Sequence, residues 1–515
     1  MKKTIKFLSI AALALVGAVT VGCSSDDSII DEPQQHASKS NVVTLTTTVS
    51  LDGGAQTRAL TADGKKTFAV NETMALVYKN TSNETVKVVS TALTDGDITN
   101  EGKSATFTFE LTDPDRSENV TYIYPAAMAN ADGSVNDDAL ATQDGTLATL
   151  SSSLDLATYS AAWDGTALPT ATLANQLAIL ALTLKNSDGT SDITSSITGV
   201  TLSDGTNSYA ITRSAAAGPI YVAIRPTSSA TIDVTATDGT NEYRKTLSGK
   251  TYAANNGYNV TWKMSPIISL SGRTYLDDEL VIADGYIVTG SATSYSCKVA
   301  VEDGATVTLR DVENNNGTLD PSSACPGIRC IGDATIILEG NNTVNGGYMY
   351  AGIYVPEGKT LTIRGTGTLT VTGGSRGAGI GGNIEGNCGS IVISGGTITA
   401  TGGTGGAGIG LGYSFEGVCG DITISGGTVT ATGCDEAPGI GGRYAYFQNI
   451  TITDGVTKVT VNKGSYSTYS IGTSEIDEEG YYGAITIGGT VYFNDGSFEN
   501  GGDSYLQTSQ LVYPQ

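Results

Sequence analysis

The chain has 515 residues, 66 of them Gly, and carries 52 acidic against 28 basic side chains, a formal charge of −24. That balance excludes a nucleic-acid partner and opposes anionic lipid, so membrane attachment needs a covalent route. The single histidine, His36, lies in a polar stretch, which excludes imidazole-based triads and His-ligated zinc; no cofactor or metal is expected.

Lys2, Lys3 and Lys6 precede an apolar run from Phe7 to Val21, too short to cross a bilayer comfortably. Val21-Gly22-Cys23 follows, and the whole reads as a secretory signal over residues 1–22. It resembles a bacterial lipobox, which implies cleavage before Cys23 and its acylation, palmitate included. Each buried CH₂ of the acyl chains would contribute roughly 0.8 kcal/mol of anchoring. Ser24-Ser25-Asp26-Asp27 resembles the surface-export signal of Bacteroides-type lipoproteins. That implies a cell outer membrane location, lipid-anchored, at the cell surface or in a fimbrium. Residues 23–40 are polar and aperiodic, hence a linker.

Residues 41–265 alternate in short β-branched runs, such as Val42 to Ser50, Ala105 to Leu111, Ala178 to Leu184 and Thr231 to Ala236. Asp-Gly turns at Asp188-Gly189, Asp204-Gly205 and Asp238-Gly239 punctuate them. No long helical period appears, so this region is a β-sandwich in two subdomains. Gln56-Thr57-Arg58-Ala59, Tyr122 to Ala126 and Asn175 to Leu182 resemble the fimbrillin family of Bacteroides-type fimbriae. The resemblance implies a transthyretin-like sandwich, proteolytic processing at Arg58 and assembly with other fimbrial subunits by strand donation. The chain departs from a stalk subunit by continuing for about half its length into a different architecture, which suits a tip subunit or a stand-alone surface protein.

Residues 266–515 repeat. Cys388 to Gly402 matches Cys419 to Gly433, and Gly377 to Gly381 matches Gly406 to Gly410. One apolar anchor falls in each repeat: Val299, Ile328, Ile353, Ile380, Ile409, Ile440 and Ile471, at steps of 25 to 31 residues. Three short strands per repeat, cornered by Gly, predict coils stacked at roughly 4.8 Å. The pattern resembles a right-handed parallel β-helix of the pectate-lyase-like type, with Ile268 to Gly290 and Val491 to Gln515 as end caps. The fold class is all-β.

From anchor to next strand the first three coils use 8 residues, and the later four use 11, 13, 10 and 14. The longer loops carry the candidate ligand-binding residues Glu385, Tyr413, Phe415, Glu416, Tyr444, Tyr446, Glu479 and Tyr481. Aromatic faces beside acceptors suit sugar rings. Counting back three residues from Cys388, Cys419, Phe447 and Tyr482 puts Glu385, Glu416, Tyr444 and Glu479 in one file. Two stacked carboxylates, Glu385 and Glu416, also admit glycosidase chemistry. Arg329, Arg364, Arg376 and Arg443 form no file at this level, and no catalytic residue is assigned. Cys388 and Cys419 share a register and are either a disulfide or stacked buried thiols. Two functions follow: a surface adhesin or fimbrial tip subunit whose β-helix binds host or bacterial glycans, not an enzyme; or a polysaccharide-cleaving (lyase or glycosidase) or glycan-capturing surface lipoprotein.

Overall fold

The computed structural model describes residues 41–51, 67–163, 165–272, 279–292, 298–316, 324–444, 446–473, 482–494 and 496–514. Strand Val42–Leu51 pairs antiparallel with Ser104–Thr112 and parallel with Ala171–Leu173. A second sheet orders Thr85–Val89, Ala75–Lys79, Asn119–Tyr124 and Ala157–Ala162. Alternation in Ser104–Thr112 sends Phe107, Phe109 and Leu111 inward, where they meet Tyr122, Tyr124 and Trp163 in one core. The Tyr122 hydroxyl donates to the Pro169 carbonyl at 2.7 Å, so its buried oxygen is satisfied.

A second sandwich follows. Ala178–Lys185 lies between Ile220–Ile224, antiparallel, and Asn256–Lys263, parallel. Its partner sheet holds Gly199–Ser203, Ser208–Thr212, Thr227–Thr237 and Glu242–Tyr252. Leu180, Leu182, Val222, Val234 and Trp262 fill the core. At the Asp238 turn the carboxylate accepts from the Asn241 and Thr240 amides at 2.7 and 2.8 Å. Those bonds, the Asn241 backbone amide foremost, hold its pKa down to about 2.

The sandwich and the coils share a sheet. Ser265–Ser269 pairs antiparallel with Glu242–Tyr252 and parallel with Ile287–Ala292. The expected cap at Ile268 to Gly290 is therefore corrected. Leu280–Ile282 and Ile287–Ala292 are coil strands, paired parallel with Val299–Val301 and Ala305–Asn315.

Every anchor falls in one parallel sheet. Ile328 pairs with Ile353, Ile353 with Ile380, Ile380 with Ile409, Ile409 with Ile440 and Ile440 with Ile471. The Ala300–Arg329 and Leu280–Val299 pairs extend the register back to Leu280. A second interior column runs Val307, Ile336, Ile363, Ile393, Ile424, Ile452 and Ile487, all at most 2% exposed. Each such side chain contributes roughly 1.5–3 kcal/mol by leaving water, but only because a neighbour coil covers it. At the corners, Asp and Asn carboxylates and amides satisfy the next coil's backbone. Asp303 accepts from the Asp333 amide and Asp333 from the Thr360 amide, both at 2.8 Å. The stack ends where the chain reverses. Thr490–Asn494 runs antiparallel to Ile485–Ile487, and Gln510–Tyr513 antiparallel to Lys458–Asn462, burying Phe493, Leu506 and Leu511.

Candidate functional site

The long loops leave the helix directly after the anchors Ile380, Ile409 and Ile440 and return through one further column. Cys388 pairs with Cys419, Cys419 with Phe447 and Phe447 with Tyr482. Cys388 and Cys419 are buried free thiols, not a disulfide. A hydrogen bond to Cys419, and then burial, pushes the Cys388 thiol well above its ordinary value. The pair is inert packing beneath the loops. Tyr446, expected among the ligand-binding rings, tilts onto Tyr482 at 5.8 Å and packs on the core instead.

Above that column three of the expected residues converge. Tyr413 meets Phe415 edge-on at 5.2 Å, and Phe415 stacks on Tyr444 at 5.9 Å with 13° between planes. Arg443 lies among all three rings, its guanidinium carbon 4.8 Å from Tyr413, 5.8 Å from Phe415 and 4.7 Å from Tyr444. It pairs with Glu436 and donates to the Tyr444 hydroxyl at 3.5 Å. Burial opposes the Arg443 charge, but Tyr444 and Glu436 outweigh it and leave its pKa above the ordinary value. Arg376 covers the Tyr413 ring at 5.3 Å. The ring itself sits over Gly405, where an added Cβ would approach the Tyr413 ring to 2.6 Å.

The backbone fixes this arrangement. The Tyr413 amide donates to the Arg376 carbonyl, and the Glu385 amide donates to the Tyr413 carbonyl, each at 2.8 Å. Glu385 thus stands opposite Tyr413, not opposite Glu416. The file of acids expected from counting back does not form there: the residue opposite Glu385 stands three before Glu416, in a loop that is longer by two residues. Both glutamates are exposed beside the rings. Arg376, Glu385 and Tyr444 have φ of 71°, 50° and 49°, a region that non-glycine residues seldom occupy. Cys23, Arg58, Glu479 and Tyr481 lie outside the described residues.

Sequence reasoning missed Arg376, Gly405, Glu436 and Arg443 as parts of this cluster. The first three carried a signal: each stands four residues before an anchor, at Ile380, Ile409 and Ile440. They are one repeat position, occupied by a base, a gap and an acid.

A family described as a β-helix repeat matches residues 361–384, 391–413 and 422–442. The coils are β-helix repeats. The matched spans include Arg376, Gly405, Tyr413 and Glu436, so the cluster is decoration on the repeat. Three solved structures are similar to part of this chain. A fimbrial assembly protein from Parabacteroides distasonis shares 14% identity, over 43% of this chain and 91% of its own, with a TM-score of 0.24. A candidate cell adhesion protein from Bacteroides fragilis shares 14%, over 42% and 92%, at 0.25. Another from Bacteroides uniformis shares 16%, over 43% and 96%, at 0.23. No curated protein matches the chain.

Proposed function

We propose that this chain is a surface adhesin, lipid-anchored through Cys23, whose β-helix captures glycans on the cluster around Arg443. One observation carries the reading: Phe415 is 58% exposed, yet contacted edge-on by Tyr413, stacked on Tyr444 and approached by the Arg443 guanidinium. A large apolar ring held rigid in water is a prepared flat face. A sugar ring laid on it finds Glu385 and Glu416 as acceptors and Arg376 as a donor. The left-handed backbone at Arg376, Glu385 and Tyr444 is local strain kept at the same place, which accords with a site.

Phe415→Ala tests this on a glycan array. Loss of one stacking face is expected to weaken binding about tenfold, or about 1.4 kcal/mol, with the unfolding midpoint unchanged because the ring is largely in water. An array blank for the unmodified chain would sink the reading.

A second reading concerns assembly, and it rests on the first strand. Val42–Leu51 is internal, flanked by Ser104–Thr112 and Ala171–Leu173, with Val49 and Leu51 buried in the first core. Withdrawing it would leave a groove edged by two unpaired strands, which a donated strand fits. Cleavage at Arg58 would free it. The mature surface form is then expected to begin after Arg58, and Arg58→Ala to retain the preceding residues on intact-mass measurement. Equal masses for the two chains would remove strand donation.

A further inference from the structure

The cluster around Arg443 is one stretch of a longer file. The turn before each anchor crosses the same side of the helix, and its backbone is bonded from coil to coil. The Met349 amide donates to the Ser375 carbonyl at 2.9 Å, Gly403 to Gly377 at 2.9 Å, Cys434 to Gly406 at 3.1 Å and Tyr466 to Asp435 at 2.9 Å. The equivalent amides Gly347, Gly374, Gly403, Cys434 and Gly464 each donate to the neighbouring coil, and two residues after them stand Met349, Arg376, Gly405, Glu436 and Tyr466, so the position continues to Met349 in one direction and, one residue further from its anchor, to Tyr466 in the other. Half-buried Tyr348 and Tyr350 flank Met349. Tyr466 is 78% exposed, more than any other large apolar side chain described as exposed, and no ring contact holds it among the described residues. From Met349 to Tyr466 are four coil steps of roughly 4.8 Å, about 19 Å. Aromatic side chains stand at both ends and in the middle, where the Tyr413 ring occupies the space that Gly405 leaves.

We infer that the ligand is an extended glycan chain lying along the helix axis, with Phe415 at a central subsite and Tyr466 at an outlying one. The inference rests on the glycan-binding reading and adds length and direction to it. A compact terminal sugar would use only the rings fixed by Arg443. An exposed tyrosine two coils' rise beyond Gly405 is of use only to a ligand that reaches it. The Glu436 carboxylate, half occupied by Arg443, and the Asp435 backbone lie between the two subsites.

The test uses the full chain and soluble oligomers of xylan, homogalacturonan and chondroitin sulfate, each as disaccharide and octasaccharide, measured by calorimetry. Soluble oligomers avoid the rebinding that immobilised polymers cause. The octasaccharide of the bound series is expected to bind at least tenfold tighter than its disaccharide. Tyr466→Ala is expected to weaken the octasaccharide about fivefold and leave the disaccharide unchanged. Phe415→Ala is expected to weaken both. Equal affinity for the two lengths, or a Tyr466→Ala effect that is absent or the same for both, overturns the inference and leaves glycan binding standing. Failure of every oligomer and of the parent polymers overturns both. Tyr466 lies mostly in water, so an unchanged unfolding midpoint verifies that its variant is folded.

Discussion

Gly410→Ala is expected to destabilise the β-helix by about 3–5 kcal/mol, far beyond the usual effect of adding one methyl group. Gly381, Gly410, Gly441 and Gly472 form a column beside the anchors, with φ of 130°, 130°, 120° and 106°. An L-residue at that φ is strained wherever it sits. At Gly410 the added Cβ would also drive into the Gly441 carbonyl oxygen of the next coil. That oxygen accepts the Leu411 amide at 2.8 Å, so moving it aside breaks a coil-to-coil bond. The next coil cannot retreat, because Gly441 is pressed on Gly472 in the same manner. Gly489→Ala separates strain from clash: its φ is 73°, and nothing lies within 4 Å of the added atom. That variant is expected to lose only about 1 kcal/mol. Because solenoids can unfold coil by coil, hydrogen exchange at the Ile409 and Ile440 amides should accompany the denaturant titration. Equal denaturation of the two variants would show that the glycine column is not a packing constraint.

The same column explains what could be read from the sequence. Identical apolar residues stacked at one spacing impose a one-to-one correspondence between coils, so the anchors from Val299 to Ile471 all fell in register. Leu280 escaped because it precedes Val299 by only 19 residues, short of the 25 to 31 that separate the other anchors. Alternation located Ser104–Thr112 and Ala178–Lys185, but alternation does not encode pairing direction. Nothing in Ser265–Ser269 announced that it joins an antiparallel neighbour on one side and a parallel one on the other. In the loops, counting from Cys388 and Cys419 failed because loop residues owe no register to the coils. Tyr413 stands in the place counted for Glu416, a shift of three residues of which the two extra loop residues supply only part. Arg376 and Arg443 reach one ring from coils on either side of it, a relation that no repeat position records.

Arg443→Lys is expected to abolish most glycan binding although it keeps the charge. Three rings and one acid depend on the shape of this side chain. The planar guanidinium meets Tyr413, Phe415 and Tyr444, pairs with Glu436 and donates to the Tyr444 hydroxyl at once. Its buried Nε has no hydrogen-bond partner among the described residues. A lysine ammonium is a compact, strongly hydrated charge and cannot stack among three faces. Each cation–π contact contributes about 0.5–2 kcal/mol, and these contacts share one cation, so the loss should be about 2–3 kcal/mol and confined to the loops. Hydrogen exchange should then rise at the Tyr413 and Glu385 amides, which tie the loops together, and stay unchanged at Ile409. Binding should fall by tenfold or more, because rings free to move must be ordered again by the ligand. Glu436→Gln removes the acid but leaves the stack, and should cost much less. If Arg443→Lys binds as the unmodified chain does, the guanidinium is only a surface charge, and the rigidity of Phe415 has another source.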